Sequence, residues 1–274
     1  QICRHKYTPF PTIDKRLEKK LLLLLAMRNS SNHLVLDVGN THIKYGYFEN
    51  DRLDKSGVCT LWTEAQWHTF HQQNPFESVL VGAVGNATKP LLAKIPKSCS
   101  IHIVDNTTNY PFTSVYDNMQ DLGVDRKAAL AGALKTHPNT SVLIIDAGSC
   151  ITYDYMNSNA MHLGGAISPG RAMRYHAMHL FTNQLPHLTP TEKIPTIGTS
   201  TKSSMELGVE LSVIAEIKEH ITAFAQEYGN FTIILTGGDA KFLNKKIKNP
   251  IFAVADLTLI GLYHLLMFNS FHEK

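Results

Sequence analysis

One pattern occurs twice in this chain and constrains its fold more than any other feature. At 34–48 the sequence runs Leu-Val-Leu-Asp-Val-Gly-Asn-Thr-His-Ile-Lys-Tyr-Gly-Tyr-Phe. At 142–155 it runs Val-Leu-Ile-Ile-Asp-Ala-Gly-Ser-Cys-Ile-Thr-Tyr-Asp-Tyr. Each copy is an apolar strand, an Asp at its carboxyl end, a small residue, a Gly, a polar turn and a second strand. A carboxylate there, beside exposed backbone N–H groups, suits a phosphate with its cation. A single copy reads equally well as an ordinary hairpin with a soluble turn. The recurrence, with Asp37 and Asp146 at equivalent places, predicts two related halves facing each other across a cleft.

Between and after the copies, strand-like and helical segments alternate. Thr63–Gln72 reads as a helix capped by Thr63, Ser78–Val84 as a buried strand, Lys89–Ile95 as a helix and Ile101–Val104 as a strand. This alternation argues for an α/β class. Gly123-Val124-Asp125-Arg126 precedes the helical run Lys127–Leu134, which puts Asp125 near a helix N-terminus. Two readings stand side by side. Asp125 is a general base with Arg126 as an anion-binding fork, or Asp125 is a capping residue with a solvated Arg. Further on, Gly164–Gly170 is rich in turn-forming residues and leads into the helical stretch Arg171–Phe181. The strand Ile233–Leu235 ends in Thr236-Gly237-Gly238-Asp239-Ala240, where bare backbone suits contact with adenosine. Together these loops favour a nucleotide-dependent phosphotransferase.

Composition narrows the partners. A net charge of +3 over 274 residues, with no dominant basic run, gives no sign of nucleic acid. His176 and His179 share a helical spacing but lack a carboxylate or thiol at ligand spacing, so they do not make a transition-metal site. Cys3, Cys59, Cys99 and Cys150 form no CxxC pair, which favours free thiols and the cytoplasm. The Leu21–Leu25 run is far shorter than the roughly 20 residues that span a bilayer. Residues 1–32 read as a tail outside the folded enzyme, with the functional part starting near Met27. The apolar stretch Leu257–Phe268 suits a core or interface helix.

The duplicated Asp-x-Gly loops with a late Gly-Gly resemble the acetate and sugar kinase, actin and heat-shock chaperone superfamily. Within it, the motif set resembles type III pantothenate kinase. Asp37-Val38-Gly39-Asn40-Thr41-His42-Ile43-Lys44 is similar to that family's ATP phosphate loop, and Gly123-Val124-Asp125-Arg126 to its substrate motif. Asp146-Ala147-Gly148-Ser149 resembles its second loop, and Gly164–Gly170 its Gly-Gly-x-Ile-x-Pro-Gly segment. Tyr116 and Thr201 fall where the family contacts pantothenate. The resemblance implies an α/β fold of duplicated actin-like, ribonuclease H-like halves with mixed sheets, divided as 33–135 and 136–274. It implies phosphorylation of pantothenate to 4′-phosphopantothenate, the first step of coenzyme A biosynthesis. It implies Asp125 as the catalytic base, ATP with Mg²⁺ held through water by Asp37, K⁺ or NH₄⁺ held by Asp146, and a homodimer. Asn40, Thr41 and Ser149 would hold phosphates, and Arg126 would offset the substrate carboxylate or the transferring phosphoryl group. Lys44 would offset phosphate charge or lie on the surface of its strand. Two departures stand out: Ser149 replaces the family's usual Thr but keeps the hydroxyl, and Cys150 replaces its usual Ala. The alternatives are a non-catalytic ATP-binding regulator on the same fold, and a kinase of another small hydroxyl compound.

Overall fold

Strand side chains alternate between faces, so each apolar run has to be covered on both sides. In the computed structural model, which describes residues 32–39, 42–59, 62–83 and 89–270, helices provide that cover. The proposed tail and its start near Met27, together with Asn40 and Thr41, lie outside the described residues.

The first sheet contains β1 (His33–Val38), β2 (Ile43–Glu49), β3 (Arg52–Cys59), β4 (Ser78–Ala83) and β5 (Ser100–Ile103), in the order β3-β2-β1-β4-β5. The second contains β7 (Val142–Ala147), β8 (Cys150–Met156), β9 (Met161–Pro169), β10 (Thr232–Thr236) and β11 (Ile251–Ala253). Its order is β11-β10-β7-β8-β9, and the short β6 (Thr113–Ser114) is added beside β9. The two orders are the same when β1 is matched to β7, β2 to β8, β3 to β9, β4 to β10 and β5 to β11. Pairing directions match as well. β1–β2 and β7–β8 are antiparallel, whereas β1–β4 and β7–β10 are parallel. The duplication visible in sequence is therefore a duplication of topology, with mixed sheets in both halves.

The helices stack around these sheets in layers. Leu34, Leu36, Val38, Val79 and Val81 bury one face of the first sheet with Trp67 of α1 (Glu64–Gln73). Leu143, Ile145, Ile233 and Leu235 bury one face of the second sheet with Val213, Ile214 and Ile217 of α5 (Thr201–Tyr228) and Leu243 of α6 (Ala240–Lys246). The opposite faces, Val35 and Leu80 of one sheet and Val142, Ile144 and Ile234 of the other, share a core with α3 (Val124–Thr136) and α7 (Leu257–Ser270). These two helices fill the space between the sheets and cross closely. A Cβ added at Gly261 would run into the Ala128 carbonyl. The apolar C-terminal stretch is thus core rather than an exposed face. Two elements cross the 135/136 division: β6 joins the second sheet, and α7 packs on α3 and β1. Among the described residues, no helix is long and apolar enough to cross a membrane.

Candidate active site

The period of two sets the first feature of the site. Because Val35 and Ile144 face the inner core, Asp37 and Asp146, two residues further along, also face inward. Both duplicated carboxylates therefore approach the same space, between the sheets and above the N-termini of α3 and α7. Asp37 lies across β2 from Lys44, and Thr258 at the start of α7 donates to Asp37 Oδ2 at 3.4 Å. Asp146 lies across β8 from Thr152.

Asp125 is the third carboxylate of this space. It is exposed in the first turn of α3, and its Oδ1 accepts from the Arg126 backbone N–H at 2.9 Å. The cap itself is Gly123, with no side-chain hydrogen bond. The capping reading of Asp125 does not hold. The three acids act on one another electrostatically. Burial raises the pKa of Asp37; Lys44 offsets part of the rise, and Asp125 adds to it. Burial pushes Asp146 up to about 6, against the pull of Lys44 and with the added repulsion of Asp125, Asp37 and Asp154.

Lys44 lines a cleft of about 280 Å³ together with Ser56, Gly57, Gly238, Asp256 and Leu259. Of the two readings for Lys44, the strand places it toward this cleft. A larger cavity of about 360 Å³ lies between β5 and α7, lined by Leu80, His102, Asn109 and Asn269. It has no charged side chain in its lining, whereas the smaller cleft carries Lys44, which acts on Asp37 and Asp146, and Asp256.

The rest of the first loop divides by parity. Val38 and Ile43 are buried against the α1 layer, so their side chains point away from the cleft and leave only backbone for a phosphate. The Gly39 N–H donates to the His42 carbonyl at 3.1 Å and closes the turn, with His42 exposed. In the second loop the Gly148 N–H donates to the Cys150 carbonyl at 2.9 Å, and Ser149 is exposed at the tip. Gly237, at the end of β10, has φ of +93°, and a Cβ there would strike Asp146 Oδ1 and the Ala147 carbonyl. Bare backbone thus reaches the second loop where adenosine contact was expected.

Arg126 differs from expectation. Its guanidinium was expected to meet substrate charge, yet it is only 5% exposed and turned inward. Nε and Nη2 donate to Asp154 at 3.0 and 2.7 Å, and Nη1 donates to the Tyr116 hydroxyl at 3.2 Å. The physical reason is Asp154, a carboxylate 1% exposed inside β8 that requires a buried cation. Sequence reading passed over Asp154, although a charge within an apolar strand is itself a signal of a buried partner. Val124 packs on the inner core, and Thr201 opens α5 on an exposed turn capped by Ser200.

The donor set suits ATP with its cations. Asp146 is half-buried and has no side-chain hydrogen bond or ion pair among the described residues, a setting that a bound cation would favour. No group of three or more His, Cys, Asp or Glu side chains among the described residues could hold a metal ion unaided.

Comparison with known proteins agrees with this arrangement. The family model for type III pantothenate kinase matches residues 33–223. A type III pantothenate kinase from Christiangramia forsetii is 38% identical over 241 residues, covering 87% of this chain and 99% of that protein. Those of Flavobacterium psychrophilum and Porphyromonas gingivalis are 36% and 35% identical, over 86% and 87% of this chain and 99% of each relative. Among solved structures, a conserved putative Baf family transcriptional activator from Campylobacter jejuni aligns with a TM-score of 0.57 at 22% identity, covering 86% of this chain and 98% of that one. This likeness concerns the fold alone. The duplicated carboxylate loops, the Asp125 turn between them and these relatives agree, and the chain belongs to the type III pantothenate kinase family.

Proposed function

We propose that this chain transfers the γ-phosphoryl group of ATP to the primary hydroxyl of pantothenate, yielding 4′-phosphopantothenate and ADP as the entry to coenzyme A synthesis. The observation that carries this reading is that Asp37, Asp125, Asp146 and Lys44 lie close enough between the duplicated sheets to act on one another electrostatically, with Lys44 also lining the adjoining cleft. Asp125 is the exposed acid of the three, on a helix N-terminal turn, and serves as the catalytic base. It accepts the hydroxyl proton as the substrate oxygen bonds to the γ-phosphorus and the bond to the β–γ bridging oxygen breaks. Lys44 and the Gly39 and Gly148 turns face the phosphates. Asn40, Thr41 and Ser149 add hydrogen-bonding side chains, and the Val38, His42 and Ile43 backbone completes the first loop. Mg²⁺, held by Asp37 through water, would offset phosphate charge. Asp146 would hold K⁺ or NH₄⁺. Tyr116, Gly123, Val124 and Thr201 line the pantothenate side, and Arg126 acts there from its pairing with Asp154.

The same reading divides the chain at 135/136 into two nucleotide-clasping halves, with β6 and α7 crossing the division. It makes the enzyme a cytoplasmic homodimer. Leu180 at 63%, Phe181 at 83% and Ile197 at 72% exposure supply apolar surface for a second copy, and the thiols of Cys99 and Cys150 are free. Sedimentation velocity checks the dimer: a monomer at micromolar concentration removes it. The reaction is tested by following ADP release with and without pantothenate, with ³¹P spectra of the product. ADP release that ignores pantothenate overturns the proposal.

A further inference from the structure

The side chains around Arg126 close into a ring. Arg126 donates to Asp154, and His162 Nε2 lies 2.9 Å from Asp154 Oδ1. His162 Nδ1 lies 2.8 Å from Ser114 Oγ. Ser114 Oγ accepts from the Tyr116 backbone N–H at 3.1 Å, and the Tyr116 hydroxyl accepts from Arg126 Nη1 at 3.2 Å. The Tyr116 ring also stacks on His162, with centroids 5.9 Å apart and planes at 23°. Asp154 and His162 are 1% and 0% exposed. The Asp154 carboxylate only accepts, so His162 donates from Nε2; the Ser114 hydroxyl can donate or accept and meets Nδ1 in either role.

Internal symmetry sets this ring apart from the scaffold. In the duplicated sheets, Asp154 pairs with Ile144 as Gly46 pairs with Val35. The first half thus folds with a glycine where the second has this carboxylate. The ring ties β6, β8, β9 and the first turn of α3 together beside the base, Asp125.

We infer that Asp154, His162 and Ser114 are positioning residues for phosphoryl transfer: they hold Arg126 and Tyr116, and through them the acceptor substrate against Asp125. This rests on the kinase reading above. Because Asp154 offsets the Arg126 charge, the ring orients the acceptor instead of presenting a free cation to it.

The test compares His162→Phe, which keeps a ring and removes both hydrogen bonds, with His162→Gln, which restores one donor. His162→Phe is expected to lower kcat/KM for pantothenate on the order of 10²-fold through misplacement of the acceptor, with KM for ATP changed by less than about twofold. His162→Gln is expected to recover part of the loss. Ser114→Ala, a milder change, is expected to cost about fivefold in the same parameter, the worth of one hydrogen bond, and covers the case in which His162→Phe does not fold. Folded variants with unchanged pantothenate kinetics, or with equal losses for ATP and pantothenate, overturn the inference. A wild type that never uses pantothenate defeats the kinase reading instead. Independently of turnover, ¹⁵N spectra that show His162 protonated at Nδ1 alone overturn the ring itself.

Discussion

The β1–β2 and β7–β8 hairpins have one topology, yet their carboxylates live in different surroundings. Asp37 has Lys44 directly across the ladder and Thr258 donating from α7. Asp146 has the neutral Thr152 across from it and no side-chain hydrogen bond among the described residues. Both acids are raised by burial, but only Asp146 is carried as far as about 6. The difference teaches that duplication supplied two equivalent backbone turns, and the residue opposite each Asp then set its surroundings. Asp37 is already offset by a cation, which suits water-mediated work on Mg²⁺. Lys44 also pulls on Asp146, but burial and the repulsion of three other carboxylates outweigh it, which is the setting in which the proposed monovalent ion would bind.

The comparison breaks most completely if one of these two acids, and not Asp125, accepts the substrate proton. Asp125→Ala should therefore lower kcat by about 10²–10⁴-fold while KM for ATP holds. Steady-state ADP release measures this, and near-normal turnover in a folded variant would assign the proton to a loop carboxylate. The next effect concerns stability. A carboxylate raised from its ordinary 3.8 to about 6 contributes stability that is present below about pH 4 and is lost as pH rises through 6. Asp146→Asn should thus stabilise the unliganded enzyme on the order of 2–3 kcal/mol near pH 8 and not near pH 4. Urea unfolding at both values, in buffer free of K⁺ and NH₄⁺, measures it. Asp37→Asn should give a smaller gain, and an equal one would erase the contrast between the loops. The same Asp146→Asn variant should also lose the response of turnover to K⁺ or NH₄⁺.

Smaller effects sharpen the picture. Lys44→Met should raise KM for ATP by about tenfold, the worth of a hydrogen bond to a charged group. It should also raise the pKa of Asp37 further, because Lys44 now offsets its burial. An unchanged KM would return Lys44 to a surface role. Ser149→Ala should raise KM for ATP only a few-fold, as one neutral hydrogen bond among several. A large loss there would mean that the second loop, and not the first, grips the phosphates.

The two halves were legible because their signal is local. Apolar runs, an Asp, a Gly and the return strand lie within about 15 residues, and alternation fixes which side chains share a face. The Asp125 turn was legible for the same reason, since helix onsets are set by a few adjacent residues. Arg126 was not. Its partner Asp154 lies 28 residues further along, on another strand. A motif records neighbours in sequence, whereas a buried charge finds its partner through packing.

By itself, then, the sequence determined the repeated strand–turn–strand units, the carboxylates at their ends and the α/β alternation, because each follows from short-range periodicity and turn chemistry. Tertiary structure alone decided three things. Asp37 and Asp146 meet because α3 and α7 hold the two sheets inner face to inner face. Lys44 faces the cleft because it shares the inner face with Asp37. Arg126 turns inward because Asp154, a carboxylate buried in β8, draws it into an ion pair. Each depends on residues far apart in the chain, brought together by burial of apolar surface that no local pattern encodes.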